Sequence, residues 1–291
     1  MERVRTLVHA QLPHGEGIYG KDSVVAILDT GIALHNDFRG RIVIFKDFVN
    51  GRQGLYDDNG HGTHLAGIIG GSGVQSKGKY TGMAPECKFV ILKVLDVMGN
   101  GDIATVIRAV EWLLKNQKRL NIRFLNISIG MLPQTRRREQ AAFVDAIRRL
   151  WDAGICVVAA SGNNGPAKSS VTVPGTIPEL ITVGSMDDEE QILLRGSMHL
   201  GYSGKGPTAG CVTKPEILAP GTHIVSCSTL GNYVSKSGSS MATAVVSGGL
   251  AILGELYPEF SPAEMKLFLY SKLRRRKGKN GWGIFDFSEL I

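Results

Sequence analysis

Apolar residues in this chain gather in short, near-continuous runs. Ser23 to Leu28, Lys88 to Leu95, Ile122 to Ile127, Ile155 to Ala160, Leu180 to Val183 and His223 to Ser226 are rich in Val, Ile and Leu with few polar interruptions. Runs of this kind suit strands covered on both faces of a parallel sheet, where strict alternation is not needed. Between them the spacing turns helical. From Asp102 to Asn116 the residues Ile103, Val106, Ile107, Val110 and Leu114 fall on one stripe, with Asp102 placed as an amino-terminal cap. Glu139 to Ala153 repeats the pattern with Phe143, Ile147, Leu150 and Trp151. Ser261-Pro262-Ala263-Glu264 reads as a capped helix start. Strands alternating with helices predict right-handed βαβ units and an α/β fold, a doubly wound and mostly parallel sheet with helices on both faces. Gly196 to Gly210 has no clear period and reads as a loop.

Length allows one large core: the 291 residues read as a single domain over 21–291, preceded by a loosely attached arm over 1–20. The 37 glycines point to tight turns and close backbone approaches. The net charge of +7 comes largely from two basic runs, Arg136 to Arg138 and Lys272 to Lys279. Neither is interleaved with aromatic residues, so they read as solvated surface and no nucleic-acid partner is expected. None of the four cysteines forms a CxxC pair or a zinc-like spacing. Cys87 and Cys156 lie in apolar runs as buried free thiols, which predicts a reduced, cytoplasmic location. The first residues have no signal-peptide core, no apolar run approaches the roughly 20 residues of a membrane span, and no membrane partner is expected.

Three short motifs carry candidate chemistry. Asp29 follows the first apolar run and so falls at the carboxyl edge of the sheet, where open α/β folds bind ligands; alone it could equally cap a turn. Asn59-Gly60-His61-Gly62-Thr63-His64-Leu65-Ala66-Gly67 has the small residues of a closely packed helix. Its two histidines could share a face, although the glutamate of HExxH is missing. Ser240, in Gly238-Ser239-Ser240-Met241-Ala242, opens an apolar helix whose N–H groups favour developing negative charge. The surrounding residues do not fit GxSxG. Asp, then His, then Ser is the chain order known for subtilisin.

On these residues the chain resembles the subtilisin-like serine proteases, the subtilase family, from about Asp22 to Gly283. Val25 to Gly31, His61 to Gly67 and Gly238 to Ala242 are similar to the family's aspartate, histidine and serine motifs. Ala160-Ser161-Gly162-Asn163-Asn164-Gly165 resembles the segment that carries its oxyanion asparagine, and Lys214 to Gly221 resembles a further signature. Tyr80 to Lys93 and Trp151 to Pro166 look most like the intracellular AprX-type branch. The resemblance implies a serine endopeptidase with Asp29, His61 and Ser240 as catalytic triad, and Asn163 with the Ser240 N–H as oxyanion hole. It implies a protein or peptide substrate bound as a strand between Gly99-Asn100-Gly101 and Ser128-Ile129-Gly130. Ala160, Ser161, Gly162, Asn164 and Thr172 would line the site. With no carboxylate at Asn164 or Thr172, an uncharged, apolar or aromatic side chain is expected before the cut. No cofactor is required. Asp37 matches a calcium ligand of the family, but Gly70 to Thr81 lacks carboxylates, so the family's strong calcium site is not expected. The sequence also departs from the family at Asn36, Ser239 and Ala244.

Three other readings have a basis in the residues. Gly99-Asn100-Gly101-Asp102-Ile103-Ala104 fits GxGxxA, but no acidic residue ends the next strand. A metal hydrolase would use His61, His64 and Asp29. A catalytically silent binding module would keep the fold without the reaction.

Overall fold

The computed structural model describes residues 1–131, 137–194, 197–273 and 281–291. In chain order the helices are α1 (Glu2–Leu7), α2 (Gln11–Gly15), α3 (His61–Gly70), α4 (Ile103–Leu120), α5 (Arg137–Asp152), α6 (Ser239–Leu256), α7 (Pro262–Leu273) and α8 (Phe287–Leu290). The strands are β1 (Val24–Asp29), β2 (Ile42–Asp47), β3 (Lys88–Lys93), β4 (Ile122–Ile127), β5 (Cys156–Ala160), β6 (Ile181–Ser185), β7 (Ile192–Leu194), β8 (Ser197–His199), β9 (Ile217–Ala219), β10 (Ile224–Cys227), β11 (Tyr233–Lys236) and β12 (Gly283–Ile284).

Eight strands form one parallel sheet in the order β12-β9-β6-β5-β4-β1-β3-β2. The predicted α/β, doubly wound fold is therefore the observed one. Side chains of β1 alternate between two cores. Val25 and Ile27 join Leu65, Ile69, Val245 and Leu250 from α3 and α6 on one face. Val24, Ala26 and Leu28 join Val106, Val110, Phe143 and Ile147 from α4 and α5 on the other. Helix α6 is long and apolar enough to cross a bilayer, but 83% of it is buried inside the fold, where its apolar surface is already covered. Glycine lets it pack this closely: a Cβ at Gly248 would stand 2.7 Å from the Ile69 carbonyl oxygen of α3.

Several expectations need correction. The run His223 to Ser226 does not enter the parallel sheet; β10 pairs antiparallel with β11 in a separate hairpin over α3. Part of the expected loop Gly196 to Gly210 is strand, since β8 pairs with β7. Nor is the amino-terminal arm loosely attached. Met1, Val4, Val8 and Ala10 are buried in the core, and the Val8 carbonyl accepts the Phe287 N–H at 2.9 Å. Val4 and Val8 are four apart, the spacing that gives a short helix one buried face. Of the basic runs, Arg136 and positions 274–279 lie outside the described residues, while Arg137 and Arg138 open α5 and Lys272 lies in the last turn of α7.

His64 ties the hairpin to α3. It is fully buried, and its Nε2 donates to the carbonyls of Ile224 and Val234, both at 3.0 Å. Burial pushes its pKa down from 6.5 to about 3. Between those values the unfolded chain binds a proton that the folded chain refuses, so stability falls as pH falls. His64 should thus cost no stability above about pH 6.5 and progressively more toward pH 3. Urea unfolding midpoints across that window should fall less steeply for His64→Asn, whose amide can still donate to a carbonyl. Identical slopes for the two proteins would contradict the assignment.

Candidate active site

Strand β1 lies at the centre of the sheet. The chain runs from it to β2 and β3 on one side, and β4, β5 and β6 follow on the other. The crevice at such a switch point is where open α/β sheets bind ligands. Asp29 ends β1 there, fully buried. Its Oδ1 accepts the Thr30 N–H at 2.8 Å and lies 2.8 Å from His61 Nδ1. A carboxylate can only accept, so Nδ1 carries a proton. In the neutral ring Nε2 then keeps its lone pair, and it makes no hydrogen bond among the described residues. The imidazole is one-quarter exposed.

Close backbone contact brings His61 to Asp29. The Gly62 N–H donates to Thr30 Oγ1 at 2.9 Å, and a Cβ on Gly62 would stand 2.3 Å from the Gly31 carbonyl oxygen. Asp57 fixes the approach to the helix: Oδ1 accepts the Gly60 N–H at 2.7 Å, and Oδ2 accepts the Thr63 hydroxyl at 2.6 Å. These bonds hold the Asp57 carboxyl below its ordinary pKa, against the desolvation that raises it and is the largest effect. Lys93, fully buried, donates at 2.7 Å to the Thr30 and Leu95 carbonyls and to Asp58. Sequence reasoning missed both Asp57 and Lys93. A carboxylate four residues before His61 and a lysine inside an apolar run were the available signals.

Ser240 is the second residue of α6, which packs against α3. The first N–H groups of a helix have no acceptor within it, so the Ser240 N–H is available to an oxyanion. The Ser239 N–H instead donates to Asn163 Oδ1 at 2.9 Å. That bond sets the Asn163 amide, leaving its NH2 beside Gly238, whose Cβ, if present, would stand 3.3 Å from Nδ2. Ser240 and His61 are not hydrogen-bonded to each other, which is common before substrate tightens a catalytic site.

The expected substrate-binding segments also lie at carboxyl ends of strands. In Gly99-Asn100-Gly101, the Asn100 N–H donates to Asp96 Oδ1 at 2.9 Å and its carbonyl accepts the Asp96 N–H at 2.8 Å. The Gly99 N–H is itself taken by the Asp96 carbonyl at 3.0 Å, so the Gly99 carbonyl and Gly101 remain to pair with a ligand. Ser128-Ile129-Gly130 follows β4, and Ala160-Ser161-Gly162 closes and follows β5. Thr172 is buried between them: a Cβ would stand 2.4 Å from Thr172 Oγ1 at Gly130 and 2.6 Å at Gly162. This explains why both are glycine. Thr172 Oγ1 itself has no partner among the described residues. Asn164 is exposed at the rim.

The other chemistries lose their footing. His64 points into the hairpin, so it does not join His61 and Asp29 around a metal. The GxGxxA segment does not present an open helix terminus, because Asp102 caps α4 by accepting the Thr105 N–H at 2.8 Å. Phosphate would meet a carboxylate there. Among the described residues an imidazole, a thiol and a phenol stand around Asp37 and no second carboxylate, a donor set that does not fit calcium.

Comparison with known proteins places the chain in a family. The Peptidase S8 model, described as the subtilase family, matches residues 20–283. The serine protease AprX of Bacillus subtilis (strain 168) is 37% identical over 274 residues, covering 88% of this chain and 62% of that protein. A thermostable alkaline protease of Halalkalibacterium halodurans is 34% identical, covering 90% and 64%. The chain thus spans less than two thirds of these two relatives. Subtilisin DY of Bacillus licheniformis is 30% identical, covering 89% of this chain and 86% of that protein. Among solved structures, a cold adapted subtilisin-like serine proteinase superposes with a TM-score of 0.75 at 29% identity, covering 94% and 91% of the two chains. With the family model matching nearly the whole chain and relatives at 30% identity or more covering most of it, the chain belongs to the subtilase family.

Proposed function

We propose that this chain is a serine endopeptidase in which Asp29, His61 and Ser240 form the catalytic triad. The observation that carries the reading is the 2.8 Å contact between the buried Asp29 carboxylate and His61 Nδ1. It holds the imidazole with its basic nitrogen free, as a general base requires. A serine hydroxyl is a weak nucleophile alone. His61 Nε2 takes the Ser240 proton as Oγ attacks the peptide carbonyl, and returns it to the leaving amine. Asp29 stabilises the imidazolium in between. The oxyanion is held by the Asn163 amide and the Ser240 N–H. Water then repeats the sequence on the acyl-enzyme.

The substrate lies extended between the flanking glycines of 99–101 and the 128–130 segment, pairing backbone to backbone. The side chain before the cut enters between Gly130 and Gly162 toward Thr172. Neither Thr172 nor Asn164 is charged, which supports an uncharged residue there.

Peptide hydrolysis tests the assignment. Ser240→Ala should abolish turnover above background. Asn163→Ala should lower kcat by about 10²–10³, the loss a subtilisin shows when its oxyanion-hole asparagine is removed, and Asp29→Asn by about 10⁴. A folded wild-type chain that cleaves no peptide would instead favour a silent binding module. Thr172→Asp should shift preference toward lysine or arginine before the cut by roughly tenfold or more in kcat/KM. An unchanged ranking of peptides would remove Thr172 from the pocket.

A further inference from the structure

Away from the catalytic edge, three side chains with metal-ligating atoms meet in the interior. His35 and Asp37 lie in the turn after β1, and Cys227 ends β10. Their exposures are 7%, 0% and 1%, and one ligand atom from each lies within 4.8 Å of the other two. We propose that His35, Asp37 and Cys227 form a binding site for a borderline-soft divalent cation of the zinc class.

The histidine is already prepared. Its Nδ1 accepts the Asp37 N–H at 3.1 Å and its Nε2 faces the Asn232 carbonyl at 3.3 Å. The ring is therefore neutral with its proton on Nε2, and the single Nδ1 lone pair, which now meets the Asp37 N–H, would exchange that donor for the cation. A carbonyl behind the far nitrogen is how metal-bound imidazoles are usually oriented. Asp37 receives only neutral donors on its carboxylate: the Gln75 N–H at 3.1 Å, the Tyr233 hydroxyl at 2.8 Å and the Cys227 thiol at 3.7 Å. The guanidinium of Arg41 reaches the Asp37 carbonyl instead. A divalent cation would displace the thiol proton to solvent, forming a metal–sulfur bond. The new thiolate and the carboxylate together would then balance its two positive charges.

Donor type selects the metal class, and the distances are compatible with it. The carboxylate oxygen lies 3.7 Å from Cys227 Sγ and 4.0 Å from His35 Nδ1. Tetrahedral zinc, with bonds of about 2.0–2.3 Å, needs donors about 3.3–3.7 Å apart. Small side-chain rotations close that difference. A thiol with an imidazole selects zinc-like ions over calcium or magnesium. Tyr233 or a water supplies the fourth ligand. A cavity of about 450 Å³ lined by Leu34, His35, Asn36, Phe38 and Gln75 lies beside the cluster, although the His35 and Asp37 side chains themselves are fully buried. The bound ion would clamp the turn after the Asp29 strand to the hairpin that leads into Ser240.

Cobalt(II) titration of chelator-treated protein tests the site. One equivalent should produce an intense thiolate-to-cobalt charge-transfer band that zinc displaces. The band should persist in Cys211→Ser, which removes the exposed thiol, and vanish in Cys227→Ser. His35→Gln keeps the Cys227 thiol yet should weaken binding by more than the about 10–100-fold that loss of a partner behind a ligand costs. Circular dichroism establishes that each variant is folded, and zinc should raise the melting temperature of the wild type but not of Cys227→Ser. Absence of the band in the wild type, its survival in Cys227→Ser, or its loss in Cys211→Ser would overturn the proposal.

Discussion

The hydrogen bond between Asp29 and His61 depends on two peptide planes pressed together, one at the end of β1 and the other in the first turn of α3. No side chain fits at Gly62, because the Gly31 carbonyl oxygen occupies the place of its Cβ. Gly31 in turn has a φ of 121° and backs onto the Tyr56 carbonyl oxygen. Given that contact, the imidazole meets a carboxylate with no exposure to water. An isolated buried carboxylate is costly, and this one is offset in part by the Thr30 N–H and the His61 Nδ1–H on Oδ1, while Oδ2 has no partner among the described residues. The same arrangement leaves His61 Nε2 as the basic atom at the surface. Much of the surrounding structure serves that geometry: Asp57 grips the helix start, and Lys93 grips the loop after β1 from below.

The central strands were legible in the sequence because they are buried on both faces. Runs such as Val24 to Leu28 and Val157 to Ala160 leave no polar position to confuse the reading. Edge strand β2 was missed for the converse reason: Ile42 to Lys46 are half-buried or exposed, so no continuous apolar run marks them. The run at Ile224 to Cys227 looks like a core strand by composition, yet its pairing partner is the adjacent β11. Apolar content reports burial, and the choice of partner is a long-range matter that local composition does not encode.

The same distinction divides the site. Asp29, His61, Asn163 and Ser240 stand in short contiguous motifs that resemble those of the family, so they could be read although the contacts that demand their glycines are made only on folding. Asp57 and Lys93 act through contacts made only on folding. The cluster of His35, Asp37 and Cys227 is more extreme, since Cys227 is 190 positions from Asp37 and no spacing could announce it. Thr172 is intermediate: its position was expected to line the pocket, while its fit between Gly130 and Gly162 emerges only in three dimensions.

That a buried carboxylate holds a histidine to activate one serine at the mouth of α6 can be tested by covalent capture. The folded protein is exposed to a fluorophosphonate and the site of attachment is mapped by mass spectrometry. The account predicts a single adduct on the peptide containing Ser240, lost when His61→Ala removes the base although the serine remains. An adduct on another residue, one that forms equally well without His61, or none on the folded wild-type chain would contradict it.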